Sequence, residues 1–321
     1  MRATGGRREL MAGIGVIVNP HASGNRRHPR RIERFRRIVG EDGIVVATTN
    51  LGELDAALAT MHERGIDILA VCGGDGSFYH AVSRAIRLWG EDRLPLLLPL
   101  RGGTINNLAR TIRARRKRAE SMLAHVVKDY RQGRTHEVTR RDLIRVNGGD
   151  YGYIVGAGLI VNFLRLYYAG RRPGPVRAFF LLVLLGLSHF FHTSLIKGVV
   201  KEFEADVECD GERVPFREYT LLLASTVAHI GLGVKPFYLS ARKRGYFHLM
   251  AGPATPGGLL LRLWRFFRGF PPRLDSLYDN MGRRVRIEFA EPQPYTINGD
   301  ILEPVRVLEL EGGPRVSFIC G

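Results

Sequence analysis

The chain has 321 residues, 45% of them hydrophobic, enough for two domains that each bury a core. Its 48 basic and 31 acidic residues leave a net charge of +17, which points to polyanionic partners: nucleic acid, anionic lipid or phosphorylated substrates. Three widely spaced cysteines, Cys72, Cys209 and Cys320, argue against a disulfide framework and for reduced thiols in a cytoplasmic setting. No signal-type apolar stretch follows the basic tail 1–13, and the strongest apolar run, Ala178 to Phe191, is shorter than the roughly 20 residues of a membrane span.

In chain order, "GIGVIVNP" reads as a strand ending at Asn19-Pro20. "HPRRIERFRRIV" reads as a helix with Ile32, Phe35, Ile38 and Val39 on one face. "GIVVATT" is a second strand, "ELDAALATMHERG" a helix stopping at Gly65, and "DILAVCGG" a third strand leading into the helix "SFYHAVSRAIRLWG". "LPLLLPL" and "GTINNLARTIRARRKR" complete the series. Such alternation predicts an α/β domain over 14–137, built on a parallel sheet with ligands beyond the carboxyl ends of its strands. From 138 to 321 the pattern turns to short alternating runs separated by turn signals, such as "CDGE" and "EGGP". This predicts an antiparallel β-sandwich or barrel, with hairpin turns at those two sites. The basic runs Arg26–Arg37 and Arg113–Arg118 read as solvated helix faces, and Cys72 as a small buried residue.

The glycines gather at one predicted edge. In "VCGGDGSFYHAV", Gly73, Gly74, Asp75, Gly76 and Ser77 sit where a strand meets a helix, which lets backbone N–H groups and a helix N-terminus face a phosphate chain. A carboxylate repels phosphate unless Mg²⁺ lies between, so Asp75 implies a cation or another bound group. "NPHASGN" offers Asn19, Ser23 and Gly24, Thr48 closes the second strand, and "PLRGGTINNLAR" offers Gly103, Thr104 and Asn106. Alone, each is more often a helix cap. Four at one sheet edge point to a nucleotide triphosphate.

The motifs NPxxSG, GGDGS and GTxNxxAR, in this order and spacing, resemble the diacylglycerol kinase catalytic-domain family, which includes bacterial soluble lipid kinases, sphingosine kinases and ceramide kinases. The resemblance runs from Gly15 to about Arg315. It implies an N-terminal domain distantly like that of NAD kinases, a C-terminal β-sandwich domain that takes the lipid, and transfer of the ATP γ-phosphate to a lipid hydroxyl in the cleft between the domains. It matches Asp300, in "YTINGDILEP", to the family's proton acceptor, with Asp75 as a second acid. The chemistry needs such a group, because the attacking hydroxyl must lose its proton.

Three positions depart from the family pattern. Asn298 replaces an aspartate in that turn, Asn107 replaces another after GTxN, and Arg244 precedes Gly245 where a structural Mg²⁺ site often has aspartate. A structural metal is therefore not expected there, while Mg²⁺ is expected to arrive with ATP. The segments 178–191 and "RLWRFFRGFPPR", with Trp264, Phe266, Phe267 and Phe270, suit a lipid-receiving cleft and an anionic membrane surface at the inner membrane face. His21, His80, His189, His192, His229 and His248 show no metal-ligand spacing. Alternatives are a soluble NAD-kinase-type enzyme and a catalytically silent lipid- or nucleotide-binding protein. Nucleic-acid binding has no recognition module behind it. The acceptor lipid and the oligomeric state, a homodimer included, stay open.

Overall fold

A computed structural model of the chain describes residues 13–102, 118–169, 177, 179–181, 183–184, 200–230 and 234–320. The chain forms two compact units, Met1–Arg140 with Val316–Gly321, and Arg141–Arg315. The expected division gave the whole C-terminal tail to the β-rich half. Instead the chain returns to the first unit at Val316, where Phe318 pairs in parallel with Leu97 and the Cys320 N–H donates to the Glu137 carbonyl at 2.9 Å.

In the first unit, strands β1 (Ile14–Val18), β2 (Gly43–Ala47), β3 (Ile68–Gly73) and β4 (Leu96–Arg101) are all parallel and lie in the order β2-β1-β3-β4. Every residue of β1 and β3 is buried, as strands covered by helices on both faces require. A helical turn, α1 (Ser23–Arg26), precedes α2 (Arg31–Val39), which is followed by α3 (Leu51–Glu63), α4 (Asp75–Trp89) and α5 (Ala119–Arg131). Phe35 and Val39 of α2 pack with Met122, Leu123 and Val126 of α5 over Val16, Ala70 and Leu98. On the opposite face Met61 of α3 lies so near β1 that a Cβ at Gly15 would stand 2.6 Å from its sulfur. Helix α3 begins in a reciprocal cap: Asn50 accepts the Glu53 N–H, and Glu53 reaches back to the Thr49 N–H at 2.7 Å.

In the second unit, the antiparallel strands β5 (Val138–Val146), β6 (Asp150–Gly152), β7 (Ile154–Gly158), β8 (Phe203–Cys209), β9 (Glu212–Arg213), β10 (Glu218–Tyr219), β11 (Leu221–Ser225), β12 (Phe247–Gly252), β13 (Tyr278–Gly282), β14 (Arg284–Ile297) and β15 (Asp300–Ile319) make the β-rich half, β5 starting and β15 finishing in the first unit. One run has the order β13-β12-β11-β7-β14-β15. The long β14 pairs with β8 over Val285–Phe289 and with β7 over Tyr295–Ile297, with register shifts between. Pro292 and Pro294, which lack N–H donors, fall in that irregular stretch and let the strand change partners. Helix α6 (Leu159–Tyr168) follows β7, and α7 (Pro256–Leu261) and α8 (Leu263–Arg268) follow β12.

The turn at "CDGE" forms as expected, with Asp210 and Gly211 at positive φ between β8 and β9. The one expected at "EGGP" does not: β15 runs straight through Gly312 and Gly313. Glycine is required there by crowding, since a Cβ at Gly312 would stand 2.0 Å from the Gly245 carbonyl oxygen. The three cysteines are free and buried. Among the described residues no helix is long and apolar enough to cross a membrane. Of the apolar segment 178–191 only 179–181 and 183–184 are described, and Phe179, Phe180 and Leu184 are exposed.

Candidate functional site

The strand order β2-β1-β3-β4 reverses direction between β1 and β3, and a crevice opens beyond the carboxyl ends of strands at such a point. Asn19 follows β1 and Gly74 follows β3, so the two predicted motifs flank it. The Asn19 carboxamide spans the gap: its Nδ2 donates to Ser77 Oγ at 2.8 Å, and its Oδ1 accepts the His21 N–H at 2.9 Å. Asn19 and Ser77 are thus joined to each other as well as placed at the edge.

The other corners converge there. The Gly24 N–H donates to the Gly102 carbonyl at 2.8 Å, and the Gly102 N–H to the Gly73 carbonyl at 3.2 Å. The Thr48 N–H donates to the Val18 carbonyl at 2.9 Å, and Thr48 itself is buried. These contacts explain the glycines. A Cβ at Gly24 would meet Gly102 O at 2.7 Å, and one at Gly73 would meet Ser77 Cβ at 2.5 Å. Glycine at 24 and 73 therefore serves the packing of the corners on one another before it serves any ligand. Gly103, Thr104, Asn106 and Asn107 lie outside the described residues.

Helix α4 starts at Asp75, capped by Gly74 in an extended conformation, and its first intrahelical bond runs from Phe78 N–H to Gly74 O at 3.1 Å. The first-turn N–H groups of Asp75, Gly76 and Ser77 point along the axis toward the strand ends, where aligned peptide dipoles favour an anion. Asp75 places one carboxylate in that turn.

Sequence reasoning missed the residue that holds the corners together. Asn25 is 5% exposed. Its Nδ2 donates to the Asn19 carbonyl at 2.7 Å and the Cys72 carbonyl at 3.0 Å, while its Oδ1 accepts from Arg31 Nη1 at 2.7 Å and from the Cys72 thiol at 3.3 Å. Arg31, itself buried, reaches on to Glu120 at 2.9 Å. The basic run thus has a solvated face, as expected, with Arg31 as its exception. Burial pushes the Cys72 thiol up to about 11, so it stays protonated and serves as a packed donor, not a nucleophile. The only sequence signal for this cluster was an asparagine at the end of NPHASGN.

In the second unit, Asp300 opens β15 and pairs with Ile297 across a tight turn whose residues Asn298 and Gly299 have φ of 53° and 97°. Asn298 is buried; its Oδ1 accepts the backbone N–H groups of Tyr153 at 2.9 Å and Ile154 at 3.0 Å. The Asn298 amide is therefore a structural clasp between the turn and the start of β7. Tyr168 of α6 donates its hydroxyl to Gly299 O at 3.2 Å on the other side of the turn. At Arg244-Gly245 the Gly245 N–H donates to Asp142 Oδ2 at 3.2 Å. Among the described residues no group of three or more His, Cys, Asp and Glu side chains is placed to hold a metal.

Residues 13–150 match the family model of the diacylglycerol kinase catalytic domain. Over these residues the chain is similar to that family. The match supports an enzyme of the lipid kinase class. No curated protein sequence matches the chain. Among solved structures, a diacylglycerol kinase from Bacillus anthracis strain Sterne superposes with a TM-score of 0.62 at 16% identity, covering 97% of each chain. Two further structures from that organism, provisionally described as diacylglycerol kinases, give TM-scores of 0.68 and 0.67 at 17% identity, again over 97% of each chain. At that identity these structures establish the fold: an α/β domain with parallel strands, similar to that of NAD kinases, followed by antiparallel strands. The matched residues contain the whole β1–β4 edge with Asn19, Asn25 and Gly73–Ser77, while Asp300 lies beyond them.

Proposed function

We propose that this kinase transfers the γ-phosphate of ATP to the hydroxyl of a membrane lipid, diacylglycerol-like or sphingoid, at the inner membrane face, with Asp300 as proton acceptor. The observation that carries the reading is the switch point between β1 and β3, where corners of four strands and the N-terminus of a 15-residue helix meet. Backbone N–H donors and an aligned helix dipole suit a phosphate chain, and their order on the sheet is held by Asn25.

In the reaction the lipid hydroxyl oxygen bonds to the γ-phosphorus as the bond from that phosphorus to the ADP oxygen breaks. The hydroxyl proton passes to the Asp300 carboxylate and then to solvent. A carboxylate is a weak base, yet it suffices for a proton whose acidity rises as the new P–O bond forms. Asp75, in the first turn of α4, is the carboxylate that would meet Mg²⁺ arriving with the nucleotide at the phosphates. When bound, the ion supplies charge neutralisation on the phosphate oxygens.

The test is to incubate purified chain with labelled ATP and micelles of diacylglycerol, sphingosine and ceramide. Label should pass to at least one lipid and fall at least a hundredfold in Asp300→Ala. No transfer to any lipid, or equal transfer by Asp300→Ala, rejects the reading.

A further inference from the structure

The second unit carries an apolar and basic face on α7 and α8 that phosphoryl transfer does not use. Phe266 of α8 is buried in a core with Leu221, Leu223, Phe237, Met250 and Leu277, which corrects its expected place at the headgroup level. Its neighbours face outward: Leu261 is 60% exposed, Trp264 54%, Phe270 44% and Phe267 38%. A left-handed Gly269, φ 68°, closes α8, with the Phe270 N–H donating to the Arg265 carbonyl at 2.9 Å. That closure folds Phe270 back onto Trp264, edge to face at 6.4 Å. Trp264 and Phe270 are therefore held together by backbone geometry, and with the exposed Leu261 and Phe267 of the same two short helices they make up an apolar ridge.

Within the segment 253–274 the charges are all of one sign. Arg262, Arg265, Arg268 and Arg273 lie within it, and the sequence holds no Asp or Glu from Pro253 to Leu274. Two other exposed arginines on this unit do have carboxylate partners: Arg286 with Glu309 at 2.7 Å, Arg284 with Glu311 at 3.1 Å. Among the described residues none of the four ridge arginines is in a salt bridge, and Arg265 lies over the Trp264 ring at 5.2 Å.

We infer that this ridge docks on an anionic lipid bilayer, with Leu261, Trp264, Phe267 and Phe270 at headgroup depth and the arginines among the lipid phosphates. Amphipathic rings favour that level, and anionic headgroups would supply counterions to arginines that have no carboxylate partner among the described residues. The inference rests on the proposed function for its purpose, since it would bring the enzyme to a lipid acceptor, but binding requires no transfer.

The experiment is cosedimentation of the full chain, without nucleotide, with vesicles of phosphatidylcholine alone or mixed with phosphatidylglycerol. Binding is expected only to the mixed vesicles and to weaken with salt. Each arginine near an anionic surface contributes about fivefold in partitioning, so Arg268→Gln with Arg273→Gln should lose roughly twenty-five-fold. Trp264→Ala with Phe270→Ala, exposed positions that leave Phe266 in its core, should also lose binding, with circular dichroism confirming the fold. The chain has two tryptophans, so in Trp89→Phe the emission reports Trp264 and should shift to the blue on mixed vesicles. No vesicle binding, binding undiminished in both double variants, or an unmoved Trp264 emission during cosedimentation overturns the inference. Asp300→Asn should bind as wild type does while losing transfer. If neither chain transfers phosphate yet both bind, the kinase reading fails and the docking surface stands.

Discussion

Replacing Asn25 with alanine tests whether the corners of the proposed nucleotide edge depend on one buried carboxamide. The Asn19 carbonyl keeps a bond from the Ala22 N–H at 3.3 Å, and the Cys72 carbonyl keeps one from the Asn19 N–H at 3.0 Å. Each carbonyl therefore loses one of two partners, at a cost of about 1 kcal/mol apiece. Arg31 is the larger loss. It is buried and charged, and retains Glu120 while Nη1 loses its acceptor, which costs about 1.5–3 kcal/mol. The sum is about 3–5 kcal/mol. For a domain of 150–250 residues each kcal/mol moves Tm by about 2–4 °C, so the first unit should melt about 10 °C lower. Asn25→Asp is the sharper comparison. It keeps an acceptor for Arg31 but turns the donor into an oxygen facing two carbonyls, so it should be no more stable than Asn25→Ala. Thermal unfolding followed by circular dichroism, with nucleotide affinity read in parallel, measures both. If Asn25→Ala melts within about 1 °C of wild type, or if Asn25→Asp matches wild type, the carboxamide does not organise these corners.

Asn298→Asp should fold as wild type does, because an aspartate Oδ1 can accept the same two N–H groups and tolerates φ of 53°; it should raise lipid phosphorylation by less than a few-fold. Asn298→Leu leaves two buried donors unsatisfied and should lose about 2–4 kcal/mol in urea unfolding. Gly312→Ala places a Cβ 2.0 Å from the Gly245 carbonyl oxygen and should cost at least about 2 kcal/mol by the same measurement. The Cys72 thiol, raised by burial from 9.0 to about 11, makes stability depend on pH. Below pH 9 both folded and unfolded thiols are protonated and its contribution is complete. As pH rises from 9 to 11 the unfolded thiol ionises first, and up to about 3 kcal/mol is lost. Urea midpoints at pH 8 and pH 10.5 should differ more in wild type than in Cys72→Ala; equal slopes would refute the assignment.

The elements easiest to read in the sequence are those whose cause is local. Alternating apolar strands and helices, the capping residues around Asn50 and Glu53, and the turn pairs Asp210-Gly211 and Asn298-Gly299 each follow from neighbours a few residues apart. Gly312-Gly313 carried the same local signal as those turns and gave a straight strand, because the crowding that demands glycine there comes from Gly245 and Leu143. The aromatic run 264–270 shows the same divide. Its composition suited a membrane face, yet which ring is buried depended on the core that α8 meets, and Phe266 alone was taken in among the four.

By itself the sequence determined that the first domain would be a parallel α/β sheet with its glycine-rich corners at one edge, since strand–helix alternation and chirality leave the chain few other routes. The tertiary structure alone decided how those corners are held: Asn25 bridges carbonyls 53 positions apart, on Asn19 and Cys72, and draws one arginine out of a solvated basic run. Hydrogen bonds between residues that distant leave no periodicity along the chain, because their partners are chosen by where the strands end in space.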